Sequence, residues 1–302
     1  MFKMSEYSFV AGLLAVALSL ICYGLAFASV RVARKRSVLV AAGAGAGAEG
    51  GSATATVTVV TRGPGGIATY GTLIAWLALA FLSASLVFRT VAVGHGPFAN
   101  MYEFSVAFAW GVLAMYLYFE RRYSQRILGL IALPVALGLL LYATTIPSAS
   151  EPLVPALQNN LLLTVHVAVA IVAYGTFSVS FAAAVLYLIQ PDGGRRPLPR
   201  PELLDEISYR AVVIGFPFLT LVIVLGAVWA QVAWGSYWSW DPKETASLFT
   251  WLLYGAYLHA RVARGWRGKR AAWLLVAGFA ATLFTYFGNL FFGGLHAYSG
   301  LD

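Results

Sequence analysis

Apolar residues run along this chain in long blocks, broken by short clusters rich in arginine, glycine, proline or tryptophan. Eight blocks read as spans: about 8–30, 70–93, 101–119, 127–146, 161–189, 211–231, 245–260 and 271–293. About 20 helical residues cross a hydrocarbon core roughly 30 Å thick, so blocks of this length are the mark of a membrane segment. Lipid offers the backbone no hydrogen-bond partner, which restricts a span to a helix or a strand of a closed barrel. Barrel strands alternate apolar and polar positions, and these blocks do not. The pattern predicts an all-α, polytopic membrane protein with about eight transmembrane helices.

Composition agrees: 60% of the 302 residues are hydrophobic and 11% charged, against about a quarter charged in a soluble domain. The net charge of +8 does not call for nucleic acid as a partner, because its placement has a membrane explanation. Loops 31–69, 120–126, 190–210 and 261–270 hold seventeen of the twenty lysines and arginines, leaving Lys3, Arg89 and Lys243 on the other side. The basic side is cytoplasmic by the positive-inside rule, which puts both termini outside. Ala26-Phe27-Ala28 looks like a leader cleavage site, but the apolar run before it is too long and the basic cluster follows it, so the first span is expected to be a retained anchor. Three regions follow: an N-terminal anchor (1–36), a flexible cytoplasmic linker (37–69) that is Gly/Ala/Thr-rich over 41–56, and a transmembrane domain (70–302) with a tryptophan-rich outer loop over 229–244. Segment 191–201 reads as a second cytoplasmic loop, followed by a short surface helix over Glu202–Arg210. The single cysteine, Cys22, lies in the first span and can form neither an internal disulfide nor a dithiol pair.

Chemistry concentrates in two groups of residues. Topology sorts the four histidines: His95, His166 and His296 at or near the outer face, His259 near the inner end of the seventh span. A histidine in a membrane segment is a functional candidate, with helix packing as the plainer alternative. The second group is the loop Trp234-Gly235-Ser236-Tyr237-Trp238-Ser239-Trp240-Asp241-Pro242-Lys243-Glu244, with Trp229 before it and Trp251 after. An interfacial aromatic belt scatters one or two rings per span end, whereas five of nine tryptophans fall within 229–251. Packed rings suit a planar aromatic ligand, and paired imidazoles suit a heme iron. Lys243 and Arg89 are then the cations for the heme propionates, while Asp241 and Glu244 anchor the loop or orient a histidine. His95 has no evident mate; it is either a loop anchor bonded to Glu103 or a further heme contact.

At these residues the sequence resembles the CcsA/ResC family of system II cytochrome c biogenesis, within the heme-handling superfamily. The loop signature carries the resemblance. It extends to Gly94-His95-Gly96-Pro97, Asn100-Met101-Tyr102-Glu103, Tyr257-Leu258-His259-Ala260-Arg261 and Gly294-Leu295-His296-Ala297-Tyr298. The resemblance implies that His166 and His296 are axial ligands to heme b presented on the outer face. It implies that His259 binds heme within the membrane opposite a ligand from a CcsB/ResB-type partner. It also implies that the pair forms a synthetase joining heme vinyl groups to the Cys-x-x-Cys-His thiols of apocytochrome c. A separate thiol-reducing pathway must supply those thiols. The family usually has tryptophan at the position of Ala246, which thins one edge of the platform. The expected course is entry near His259, passage outward through the bundle, and presentation by the tryptophan loop. Two other classes fit less well: a b-type cytochrome needs facing histidine pairs at two depths, and a transporter needs buried carboxylates near mid-membrane, of which the sequence suggests none, since Glu103, Asp241 and Glu244 all fall at the outer edge.

Overall fold

The computed structural model describes residues 1–45, 65–149, 160–190, 198–288 and 291–296. The described residues form eight α-helices: α1 (Phe2–Gly45), α2 (Gly65–Val93), α3 (Met101–Tyr123), α4 (Gly129–Thr144), α5 (Asn160–Leu188), α6 (Pro201–Trp234), α7 (Pro242–Arg264) and α8 (Lys269–Phe287), with one 3-10 turn over Arg126–Leu128. No strand occurs among the described residues. Seven helices are long and apolar enough to cross a membrane, and the protein is a multi-pass membrane protein. The exception is α7, whose ends carry Lys243, Glu244, Arg261 and Arg264. Its 23 residues nevertheless reach about 34 Å at 1.5 Å each. Trp251 donates to Thr220 and Arg261 pairs with Asp205, so α7 runs antiparallel to α6 over its length.

Helix boundaries follow local chemistry. Asn100 caps α3 by accepting from the Glu103 N–H. Pro201 and Pro242 open α6 and α7, where a missing N–H costs nothing. Gly235 and Gly265 end the same two helices in the left-handed region, at φ +76° and +64°. Several boundaries depart from the sequence expectation. α1 runs on to Gly45, so only 46–64 of the expected linker lies outside the described residues. The expected surface helix at Glu202–Arg210 is the continuous first third of α6, held by the Arg261–Asp205 pair at 2.6 Å.

The helices pack as neighbouring antiparallel pairs around a central α3. Ser5 meets Ser85, and Ser19 donates to the Gly71 carbonyl, between α1 and α2. Ser180 donates to the Ser208 carbonyl between α5 and α6, and Thr250 meets Thr285 between α7 and α8. Hydroxyl bonds of this kind join helices where lipid supplies no hydrophobic drive. α3 continues past the expected end at 119, and this brings Glu120 inside. Glu120 is 5% exposed. It accepts from Tyr23 at 2.8 Å, from Thr72 and from Tyr116, with Arg126 at 3.6 Å. α3 holds two buried carboxylates, one near each end: Glu103 at its start and Glu120, which is hydrogen-bonded to three helices because the extra turn rotates it toward α1 and α2. This network closes the end of the bundle rich in arginine. The opposite end carries the tryptophan loop, the 94–100 turn, the chain start and residues 294–296.

Candidate functional site

Asp241 organises the tryptophan end. As the N-cap of α7 it accepts the Lys243 N–H through Oδ1 at 2.9 Å, while Glu244 reaches back to the Asp241 N–H at 3.2 Å, forming a capping box. The same carboxylate accepts the Leu295 N–H through Oδ2 at 2.7 Å and the His296 Nδ1–H through Oδ1 at 2.8 Å. One carboxylate thus ties the segment after α8 to the start of α7 and fixes the His296 ring. Burial alone would raise the Asp241 pKa. The bonds from His296, Lys243 N and Leu295 N outweigh that and hold it down at about 2. Burial in turn pushes His296 below its ordinary value, against the opposing pull of Asp241, so the imidazole is neutral at pH 7, as iron ligation requires. Trp234 meets the His296 ring edge-on at 4.9 Å, and Trp229, 3% exposed, lies 5.7 Å from it.

His166 comes from the other side. It sits six residues into α5, about 9 Å from the helix start. Its ring lies against Gly226 of α6, where a Cβ would stand 3.1 Å from Cε1. Its Nδ1 is buried without a hydrogen-bond partner. A buried polar atom left unmet is rare and calls for an explanation, and an absent ligand is one. His166 and His296 line one cavity, together with Trp229, Tyr237, Trp238, Lys243 and Glu244. Its volume is about 120 Å³. The Lys243 ammonium lies 5.8 Å over the Phe104 ring. Burial lowers its pKa to about 8, with Asp241 opposing, so it is mostly cationic at neutral pH. Among the described residues no three His, Cys, Asp or Glu are placed to hold a bare metal ion. Two imidazoles in one cavity instead complement an iron that brings its own four equatorial nitrogens.

Other candidates lie elsewhere. Trp240 is 68% exposed and outside the cavity wall, its backbone in the left-handed region at φ +60° and its indole edge-on to Trp238 at 5.7 Å. Trp234 touches His296 but is not part of that wall. Arg89 is also absent from the wall; its guanidinium is paired with Glu103. Consequently His95 does not bond Glu103 as expected. Its Nδ1 meets the Gly96 carbonyl at 2.8 Å, because Glu103 is taken by Arg89 and the Ala99 N–H. His259 is exposed near the arginine end of α7, eighteen residues or about 27 Å along the helix from Asp241. Between the two ends Phe177 stacks on Tyr254 at 3.8 Å and Phe181 on Phe279 at 4.4 Å. A passage straight through the α5–α8 core, the expected course, meets those rings. Sequence reading missed Met101, Phe104, Phe108, Tyr174 and Tyr286, which line the cavity. Nothing in their type marks them, since each looks like ordinary helix packing. Gly226 was missed as well, four residues from Val222 on the cavity side of α6.

Residues 98–296 match the family described as cytochrome C assembly protein. Among similar chains is the cytochrome c biogenesis protein CcsA of Synechococcus elongatus, 37% identical over 78% of this chain and 88% of its own length. Those of Microcystis aeruginosa and Guillardia theta are also 37% identical, each over 77% of this chain and 87% and 86% of their own. Among solved structures, the cytochrome c heme lyase CcmF superposes with a TM-score of 0.59 at 20% identity, over 93% of this chain and 46% of that one. The likeness to CcmF establishes a shared fold.

Proposed function

The chain belongs to the cytochrome c assembly protein family, in its CcsA/ResC branch, and from that premise we propose that it is the heme-handling subunit of a membrane cytochrome c synthetase. A role in cytochrome c biogenesis follows from its relatives. The finer reading rests on one observation: His166 and His296, 130 residues apart in sequence, line a single cavity edged by tryptophan. Heme is the substrate. His296, with Nδ1 held by Asp241, ligates through Nε2. His166, whose Nδ1 lacks a partner, supplies the second imidazole. Lys243 takes a propionate. A cavity of about 120 Å³ admits one edge of a porphyrin, leaving the rest at the mouth, where an acceptor peptide reaches it.

The positive-inside distribution puts the tryptophan end outside the cytoplasm. Each thioether forms by addition of a cysteine S–H across a heme vinyl group, sulfur bonding to carbon and the proton going to the neighbouring carbon. The chain contributes alignment, which for well-oriented partners is worth about 7–11 kcal/mol of barrier. The thiols must arrive reduced, because Cys22 alone cannot exchange disulfides. His259, exposed on α7 beside Arg261, is the ligand for a second heme site shared with a CcsB/ResB-type partner. Since stacked rings fill the core, heme travels between the two sites along the outside of α5–α8. The test is replacement of His166 or His296 by Ala. Membrane insertion is retained and holocytochrome c is lost, with recovery on added imidazole. Full maturation by either variant without imidazole refutes the ligand assignment.

A further inference from the structure

Arg89 and Glu103 form a buried pair that touches neither histidine nor the cavity wall. Arg89 Nε donates to Glu103 Oε1 at 2.7 Å, with the side chains 4% and 1% exposed. Such a pair costs desolvation on both sides, and removing one partner is far worse than removing both. Four contacts radiate from it. The guanidinium lies 5.1 Å from the Phe2 ring of α1 and 5.6 Å from the Tyr102 ring of α3. Glu103 Oε2 accepts the Ala99 N–H at 2.7 Å, and the Glu103 N–H is capped by Asn100 at 2.9 Å. The turn 94–100 is thereby fastened to the start of α3. Its other end presses on α5: Gly96 approaches so closely that a Cβ would stand 2.5 Å from Thr164 Oγ1. Thr164 is on the same helical turn as His166. On the far side, α3 contributes Met101, Phe104 and Phe108 to the cavity wall, and Phe104 carries the Lys243 ammonium.

The geometry points to the Arg89–Glu103 pair as a positioning device for heme ligation. It sets the first turn of α3 and the 94–100 turn against α5, and so fixes His166 and Lys243 relative to His296. This inference rests on the heme reading above. It also reassigns Arg89 from a propionate contact to a residue acting through others.

The experiment compares the full chain, co-expressed with its partner, as wild type, R89K, R89M, E103Q and the double variant R89M/E103M. The double variant removes both buried charges together and leaves only the Ala99 N–H without its acceptor, so it keeps the fold. Its insertion and amount are expected at wild-type level. It still binds heme, but the spectrum of two-imidazole, low-spin iron gives way to a high-spin mixture. Cytochrome c yield falls by roughly 100-fold, as for a misplacement of about 1 Å. Added imidazole restores the low-spin spectrum, and R89K recovers part of the yield. A double variant with wild-type spectrum and yield overturns the inference. So does a normal E103Q beside a heme-deficient R89M, which would make Arg89 a direct contact. H166A and H296A run alongside: wild-type spectra from those two would sink the heme-ligation reading itself, a separate failure.

Discussion

Replacing Asp241 with Asn removes a charge while keeping the shape of the side chain. In the native protein Asp241 is 6% exposed and accepts from Leu295 N, Lys243 N and His296 Nδ1. Its pKa falls from 3.8 to about 2. At 1.36 kcal/mol per tenfold change, that difference corresponds to about 2 kcal/mol of folding stability. A carboxyl depressed on folding contributes fully above 3.8 and loses its contribution as pH drops through 2, so the whole amount is present at pH 7. The amide keeps an acceptor oxygen for the helix cap but loses the anion that holds the His296 Nδ1 proton. Losing a hydrogen-bonded carboxylate behind a ligating histidine costs about 10–100-fold in metal affinity. The D241N protein should therefore unfold earlier in detergent by about 2 kcal/mol and bind heme about 10–100-fold more weakly in a Soret titration at pH 7. Its cytochrome c yield should fall in parallel, and D241E should recover part of it. Wild-type heme affinity in a D241N protein that shows the stability loss would refute the claim that this carboxylate orients the ligand.

Three further outcomes are expected. Gly226→Ala places a methyl 3.1 Å from His166 Cε1. It should turn the ring and lower heme content in purified protein, while Gly24→Ala, open on all sides, leaves it unchanged. Lys243, with its pKa lowered to about 8, should lose its attraction for a propionate as pH rises through 8, so heme affinity measured from pH 7 to 9 declines in wild type and is flat in K243M. The sign for stability is opposite, because a base depressed on folding costs stability while protonated and ceases to cost it between 8 and 10.5. Glu120→Ala removes the acceptor shared by Tyr23, Tyr116 and Thr72, leaving Thr72 with the Ala68 carbonyl, Tyr23 with the Thr72 hydroxyl and Tyr116 with the Arg126 carbonyl at 3.4 Å. It should lower stability by about 1–3 kcal/mol in all, visible as an earlier detergent melt with the heme spectrum of the folded fraction unchanged.

The helices and most of their ends were legible in the sequence because lipid imposes a single rule, an unbroken apolar block, and because Asn100, Pro201, Gly235, Pro242 and Gly265 mark ends by local chemistry. Of the residues that line the cavity, Trp229, Trp238, His166 and His296 stood out in the sequence because indole and imidazole are rare at such positions. What the sequence withheld is pairing. Arg89 looked available for a propionate because an arginine near an outer helix end has no visible mate; only the fold brings Glu103, fourteen residues on, to its Nε. Glu120 looked like a loop residue because the apolar block stops at Phe119. One more turn of α3 places it among hydroxyls from α1, α2 and α3 itself. Tyr174, Phe104 and Tyr286 look like core because chemically they are core, and they become cavity wall where α3, α5 and α8 diverge.

Below the tryptophan end the helices are packed by stacked rings. Phe177 on Tyr254 and Phe181 on Phe279 fill the space between α5, α7 and α8, at a density where even small volume changes are felt. A bundle packed in its middle holds its helices rigidly enough to keep an opening at one end. The opening then needs few bonds to shape it: Asp241 on His296, Gly226 beside His166, and the Arg89–Glu103 pair behind the 94–100 turn. That packing is what lets two imidazoles, from α5 and from the segment after α8, face one cavity without a covalent link between them.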